Sequence, residues 1–165
     1  MNALWAYFWP CFAAGLLVGA IIGRITFKRR SGREVRLGLG VALSLILAAL
    51  WHGPLGGADR FQTKVERDIQ QMLVHYEMTQ VTAHLHQHPL SRRVMLSGPA
   101  DDFQRQGLID YLDQISGVES ATWSNRGGMP LIVEAMIVSL VGFLFGLLLA
   151  YLVELRRRYN AQWNW

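Results

Sequence analysis

The sequence predicts an α+β membrane protein: three transmembrane α-helices plus a small two-layer αββαβ extracytoplasmic domain. Three observations predict it. Apolar runs at about Ala3–Gly23, Leu37–Leu55 and Leu131–Val153 are each near the roughly 20 residues that a helix needs to cross a hydrocarbon core of about 30 Å. Basic residues gather beside these runs on one side only. The one long polar segment, Gly56–Pro130, carries helical and strand periodicities in turn.

The first run opens on Trp5-Ala6-Tyr7-Phe8-Trp9, which is aromatic and uncharged, and the basic cluster follows it. A cleaved signal peptide has the reverse order and a shorter apolar core, so a retained span is expected. The aromatic cluster reads as an interfacial belt at the outer surface, and Trp163 and Trp165 as its inner counterpart. Pro10 and Pro54 read as span-end prolines, where a missing amide hydrogen costs little. Cys11 is the only cysteine, which excludes an intramolecular disulfide.

Charge orients the spans. Loop 24–36 holds Arg24, Lys28, Arg29, Arg30, Arg33 and Arg36 against Glu34, and the tail holds Arg156, Arg157 and Arg158 against Glu154. Segment 56–130 has seven basic and nine acidic residues. Short basic loops stay in the cytoplasm, so the N-terminus and segment 56–130 face out, and the C-terminus faces in. The chain thus divides into a transmembrane hairpin at 1–55, an outside domain at 56–130, and a last span with its cytoplasmic tail at 131–165. The net charge of +4 does not point to nucleic acid. The basic residues lie at membrane ends, and a phosphate-binding face would need them on the soluble segment, which is acidic.

The spans carry small residues at helical spacing. Gly15, Gly19 and Gly23 share one face of the first, and Gly38 and Ala42 one face of the second. In the third, Ala135 pairs with Ser139, and Gly142, Gly146 and Ala150 follow four apart. Such faces let backbones approach closely. They serve either packing of the three spans on one another or docking of another membrane subunit. Of Asp, Glu, Lys and Arg, Glu134 alone lies inside a span. Intramembrane carboxylates mark function by default, but one turn from the span end this one also reaches the headgroup region.

The outside segment opens with Gly56-Gly57 and closes with Gly127-Gly128 and Pro130, which read as linkers. Phe61, Val65, Ile69 and Met72/Leu73 predict a helix over Phe61–Tyr76. Val81, Ala83 and Leu85 alternate with Thr82, His84 and His86, a half-buried strand. His88-Pro89-Leu90-Ser91 is a turn, and Arg93–Ser97 a second strand. Asp101 is placed as an N-cap, with Asp102 in the first turn of a helix. Phe103, Leu108, Leu112 and Ile115 supply the apolar face of that helix, and Gly117 ends it. Asp110 and Asp113 read as solvated surface. Glu119–Ser124 is a third strand, with Ala121 and Trp123 on one side.

This order, with Val94-Met95-Leu96-Ser97-Gly98 closing the strand pair and Gly117-Val118 opening the last strand, resembles a BON domain over about Lys64–Ser124. The His/Pro-rich turn at Gln87–Arg92 and the flanking spans depart from that family's pattern. The resemblance implies a bacterial envelope location and binding to phospholipid headgroups or to envelope partners. By analogy with the ring-building domains of secretion machines, it also leaves a ring-forming homo-oligomer open.

His84, His86 and His88 are the one constellation with metal-ligating chemistry. Residues two apart on a strand point the same way, about 7 Å apart, so His84 and His86 can share an ion. A stripe that contacts a partner or responds to pH is the other reading. No nucleophile motif, phosphate loop or paired-carboxylate site is present, and no cofactor is called for. The expectation is a non-enzymatic, multi-pass inner-membrane protein that presents a BON-like domain in the periplasm. The alternative is an accessory subunit of a respiratory or transport complex, docked through its glycine faces.

Overall fold

The computed structural model describes residues 2–28, 32–78, 80–124 and 127–162. Arg29, Arg30, Trp163 and Trp165 lie outside the described residues. The elements run α1 (Ala3–Lys28), α2 (Arg33–His52), α3 (Gly57–His75), β1 (Thr82–Gln87), β2 (Leu90–Ser97), α4 (Asp102–Leu112), β3 (Ser120–Thr122) and α5 (Leu131–Gln162). The chain forms two compact units, Met1–Tyr7 with Gly56–Glu134, and Phe8–Leu55 with Ala135–Trp165.

In the helical unit, α1, α2 and α5 are each long and apolar enough to cross a membrane. The two expected small-residue faces meet each other. A methyl group added at Gly15 would overlap the Ser139 carbonyl, and one at Gly19 the Phe143 carbonyl. From the other side, Gly142 abuts the Phe12 carbonyl and Gly146 that of Leu16. At Gly23 an added carbon would lie 2.6 Å from Cβ of Ala150. The α1 and α5 backbones therefore touch along three turns, which only residues without side chains allow. Of the two readings of these faces, the structure holds the within-chain one.

The face of α2 differs from expectation. Gly38 and Ala42 are exposed, and Gly40, Ser44 and Ala48 are buried two residues further on. Gly40 makes room for the ring of Phe143, which is 2 % exposed; a Cβ there would stand 2.8 Å from Cε2. Ser139 Oγ donates to the Ser44 carbonyl at 3.0 Å, and Ser44 Oγ donates to the Val41 carbonyl at 2.9 Å. Both hydroxyls are thus satisfied in apolar surroundings, where an unpaired one would cost most. Pro10 lies within α1, not at a span end, so the Ala6 carbonyl lacks its helical donor.

In the other unit the sheet order is β1-β2-β3, with β1 antiparallel and β3 parallel to β2. The predicted αββαβ order is present. Ala83, Leu85, Val94, Leu96 and Ala121 are buried on one sheet face, with Phe61, Val65, Ile69 and Leu73 of α3 and Leu108 and Leu112 of α4. Asp101 caps α4 through a reciprocal box: its carboxylate accepts from Gln104 N at 2.7 Å, and Gln104 reaches back to Asp101 N. Gly98 (φ 129°) presses on the Gln80 carbonyl and Gly117 (φ 116°) on Val65, so both turns require glycine for conformation and space.

Several local expectations give way. Phe103 is 89 % exposed instead of buried. It stands five residues before Leu108, about 140° round the helix from the buried face. Trp123 lies beyond β3, its ring 5.1 Å from the Arg105 guanidinium. Asp113 does more than face solvent: it closes α4, and its carboxylate accepts from Ala121 N at 2.7 Å, pinning the start of β3. The glycine linkers are packed. Gly57 is the buried first residue of α3, and Arg93 Nη1 donates to the Gly127 carbonyl at 3.2 Å.

The unit also takes in the first turns of α1. Tyr7 is 2 % exposed, with its ring 5.5 Å from that of Phe61, and the Ser116 hydroxyl donates to the Asn2 side chain. The aromatic belt therefore divides: Trp5 and Trp9 are exposed, and Tyr7 is core.

Gly146→Leu is expected to lower the unfolding midpoint of the purified chain in detergent, since overpacking costs ~1–3 kcal/mol. Gly38→Leu, on an open face, should leave the midpoint unchanged or raise it by up to ~1 kcal/mol of helix propensity. Thermal melts of the two variants check the pair.

Candidate functional site

On the sheet face away from α3 and α4, register sets which side chains come together, and Gly127 and Gly128 lie against two of them, His86 and Arg93. Thr82 pairs with Ser97, His84 with Met95, Met95 with Thr122, and Arg93 with Ser120. Because strand side chains alternate, these residues point away from the buried set. The result is a row, His84–Met95–Thr122, that crosses all three strands. Beside it, the Thr82 and Ser97 hydroxyls pair at 2.7 Å. Met95 supplies an adaptable apolar centre within a polar rim, a composition suited to binding a surface.

The two histidines singled out in the sequence are not equivalent. A register shift falls between Leu85 and Gln87, so His86 sits on the irregularity. His84 is exposed, and His86 is half-buried. The His86 Nδ1–H donates to the Pro89 carbonyl at 3.0 Å, which fixes that tautomer and leaves Nε2 as its remaining ring nitrogen. Among the described residues, no three His, Cys, Asp or Glu side chains gather in a way that could hold a metal ion. His88 is exposed in the turn that precedes β2.

Glu134 belongs to the same unit and is a clasp. Arg92, on β2, brings its Nε to 2.8 Å from one carboxylate oxygen of Glu134 and 3.1 Å from the other. The two side chains are 21 % and 14 % exposed. Three further contacts surround the pair. Glu119 N donates to the Arg92 carbonyl at 2.8 Å, Ser91 bridges to Pro130, and Val133 N donates to the Pro130 carbonyl at 2.9 Å. The first turn of α5 is thereby tied to the central strand. The helix-packing residues Gly15, Gly19, Gly23, Ser139, Gly142, Gly146 and Ala150 lie together in the helical unit, where they consume one another's surface.

Sequence reasoning did not find Arg92 or Tyr7. Arg92 stands 42 positions from Glu134, and no local pattern links them. Tyr7 does carry a signal, since Ala3, Tyr7, Cys11 and Gly15 recur four apart as one buried stripe of α1. No protein-family model, curated protein or solved structure matches the chain.

The clasp predicts a measurable coupling. Arg92→Met and Glu134→Gln should each destabilise the protein by ~1–2 kcal/mol, because each strands a partly buried charge or acceptor. The double variant should lose less than the sum. A double-mutant cycle on unfolding midpoints in detergent checks this, and strict additivity would refute the clasp.

Proposed function

We propose that the chain is a non-enzymatic, multi-pass protein of a bacterial inner membrane. Its basic loop and C-terminal tail lie in the cytoplasm, and its αββαβ domain stands in the periplasm. The domain binds an envelope partner or phospholipid headgroups through its open sheet face. The observation that carries this reading is the row His84–Met95–Thr122, exposed at His84 and half-buried at Met95 and Thr122, on the sheet face opposite the buried set. The asymmetric charge of the loops supports the orientation. The likeness of the strand-end glycine steps to a BON domain supports the envelope setting. Both steps are occupied by glycines whose conformation the turns require.

Docking as an accessory subunit through the glycine faces draws less support, because α1 and α5 spend those faces on each other. A complex would have to use other surfaces.

A photo-reactive amino acid at Met95 tests the sheet face. In cells with a permeabilised outer membrane, it should yield a discrete cross-linked protein or a lipid adduct. The same probe at Asp110, on the exposed surface of α4, should yield neither. Indistinguishable patterns at the two positions would sink the proposal. A cysteine in place of His84 should react with an impermeant maleimide in the same cells, and one in place of Arg157 should not.

A further inference from the structure

At the basic end of the helical unit, α1, α5 and the first residue of α2 enclose a groove of about 630 Å³. It lies where the apolar runs give way to the arginines. One wall is aromatic. The Arg33 guanidinium sits 5.7 Å from the centre of the Phe27 ring, and Phe27 meets Tyr151 edge-on at 5.6 Å. This stack orients Arg33 toward the groove that it lines. Arg158 also lines the groove, and its Nε donates to Glu154 at 3.1 Å. That bond leaves both Nη groups of the fork for an incoming acceptor. Arg33 makes no ion pair among the described residues, so the lining carries two cations against one carboxylate.

The floor holds a second, independent sign. Thr26 lines the groove and is 2 % exposed, and its hydroxyl has no hydrogen-bond partner. A buried hydroxyl left unpaired is costly, and native structures avoid it unless something else fills the role. Threonine in a helix splits between two side-chain rotamers, so a rotation about its first side-chain bond would bring this hydroxyl to a guest. The remaining walls are apolar. Leu148, Leu155 and Tyr151 are each about half exposed along α5. A narrower groove of about 400 Å³, on the side of Arg24 and Arg157, shares Phe27 and Glu154 but not the threonine floor.

We infer that the larger groove binds one anionic phospholipid. Its phosphodiester meets Arg33 and Arg158, and its acyl chain follows the leucines of α5. Guanidinium forks match phosphate oxygens, and basic recesses between membrane helices hold lipid heads in this way. The apolar walls argue for a lipid over a free phosphate, which would find no use for them. The inference rests on the membrane reading proposed above.

The test uses the full chain in a mild non-ionic detergent. Phosphatidylglycerol and phosphatidylcholine with matched acyl chains are added in equal amounts, and bound lipid is counted by native mass spectrometry. Phosphatidylglycerol should dominate. Its preference should fall roughly fivefold for each arginine removed in Arg33→Gln and Arg158→Gln, the equivalent of ~1 kcal/mol per cation. The double variant Lys28→Gln with Arg156→Gln removes the same charge as the two groove substitutions together, but outside the groove, and should keep the preference. Equal uptake of both lipids by the unmodified chain overturns the inference. So does a control variant that loses as much preference as the groove variants. Displacement of the lipid by inorganic phosphate overturns it as well, since it would mark a site for soluble anions. Alkaline carbonate washing of membranes separates the two failures: release of the chain defeats the membrane reading, whereas retention without lipid preference defeats the groove alone.

Discussion

The direct approach of the α1 and α5 backbones is the constraint on which the helical unit depends. Four glycines remove side chains from the line of contact, and carbonyl oxygens of the opposite helix occupy the space. At so short a separation, close van der Waals packing of the two backbones supplies the attraction. Every other choice in that unit follows the contact. Phe143 can turn its ring toward α2 because its backbone is already fixed against Gly19, and Gly40 then has to be small. Ser139 presents its carbonyl to Gly15 and its hydroxyl to Ser44. It is one residue serving three helices, and its two polar atoms fix their relative heights.

The αββαβ unit is built differently, with its apolar side chains gathered on one face of the sheet. Its core is incomplete on its own residues. Phe61, at the start of the α3 stripe, needs the ring of Tyr7, and Ser116, just before the Gly117 turn, donates to Asn2. Arg92 and Glu134 tie the opposite chain entry to the central strand. The boundaries read from composition, 56 and 130, are where polarity changes. The packing boundary coincides with the first of these at Gly56, whereas the others fall inside helices, after Tyr7 in α1 and after Glu134 in α5.

How much was legible divides along the same line. Periodicity gave the α3 stripe, the buried alternation of β1 and β2 and the Asp101 cap, since each depends on residues within one turn or one strand. It also gave the faces of α1 and α5. It failed for α2, where Gly38/Ala42 and Gly40/Ser44/Ala48 are equally small and only the position of Phe143 chooses between them. Asp113 was invisible as an anchor because its partner is the backbone of Ala121, which has no side-chain signature. Of the candidate surface, His84 was placed correctly on the exposed face. The irregularity that turns His86 toward Pro89 depends on cross-strand register, which a single strand does not encode.

The involvement of Asn2 and Tyr7 in the αββαβ unit has a consequence for biosynthesis. A ribosome releases the N-terminal residues first, yet their partners at Phe61 and Ser116 follow much later, and Glu134 later still. Through that interval Tyr7 has no ring to rest against and the sheet has no lower clasp. The Arg92–Glu134 clasp can form only after the last helix has begun to emerge. Formation of both contacts therefore requires both flanking helices to be in place, so a chain with a misplaced helix would display a looser, protease-sensitive αββαβ unit.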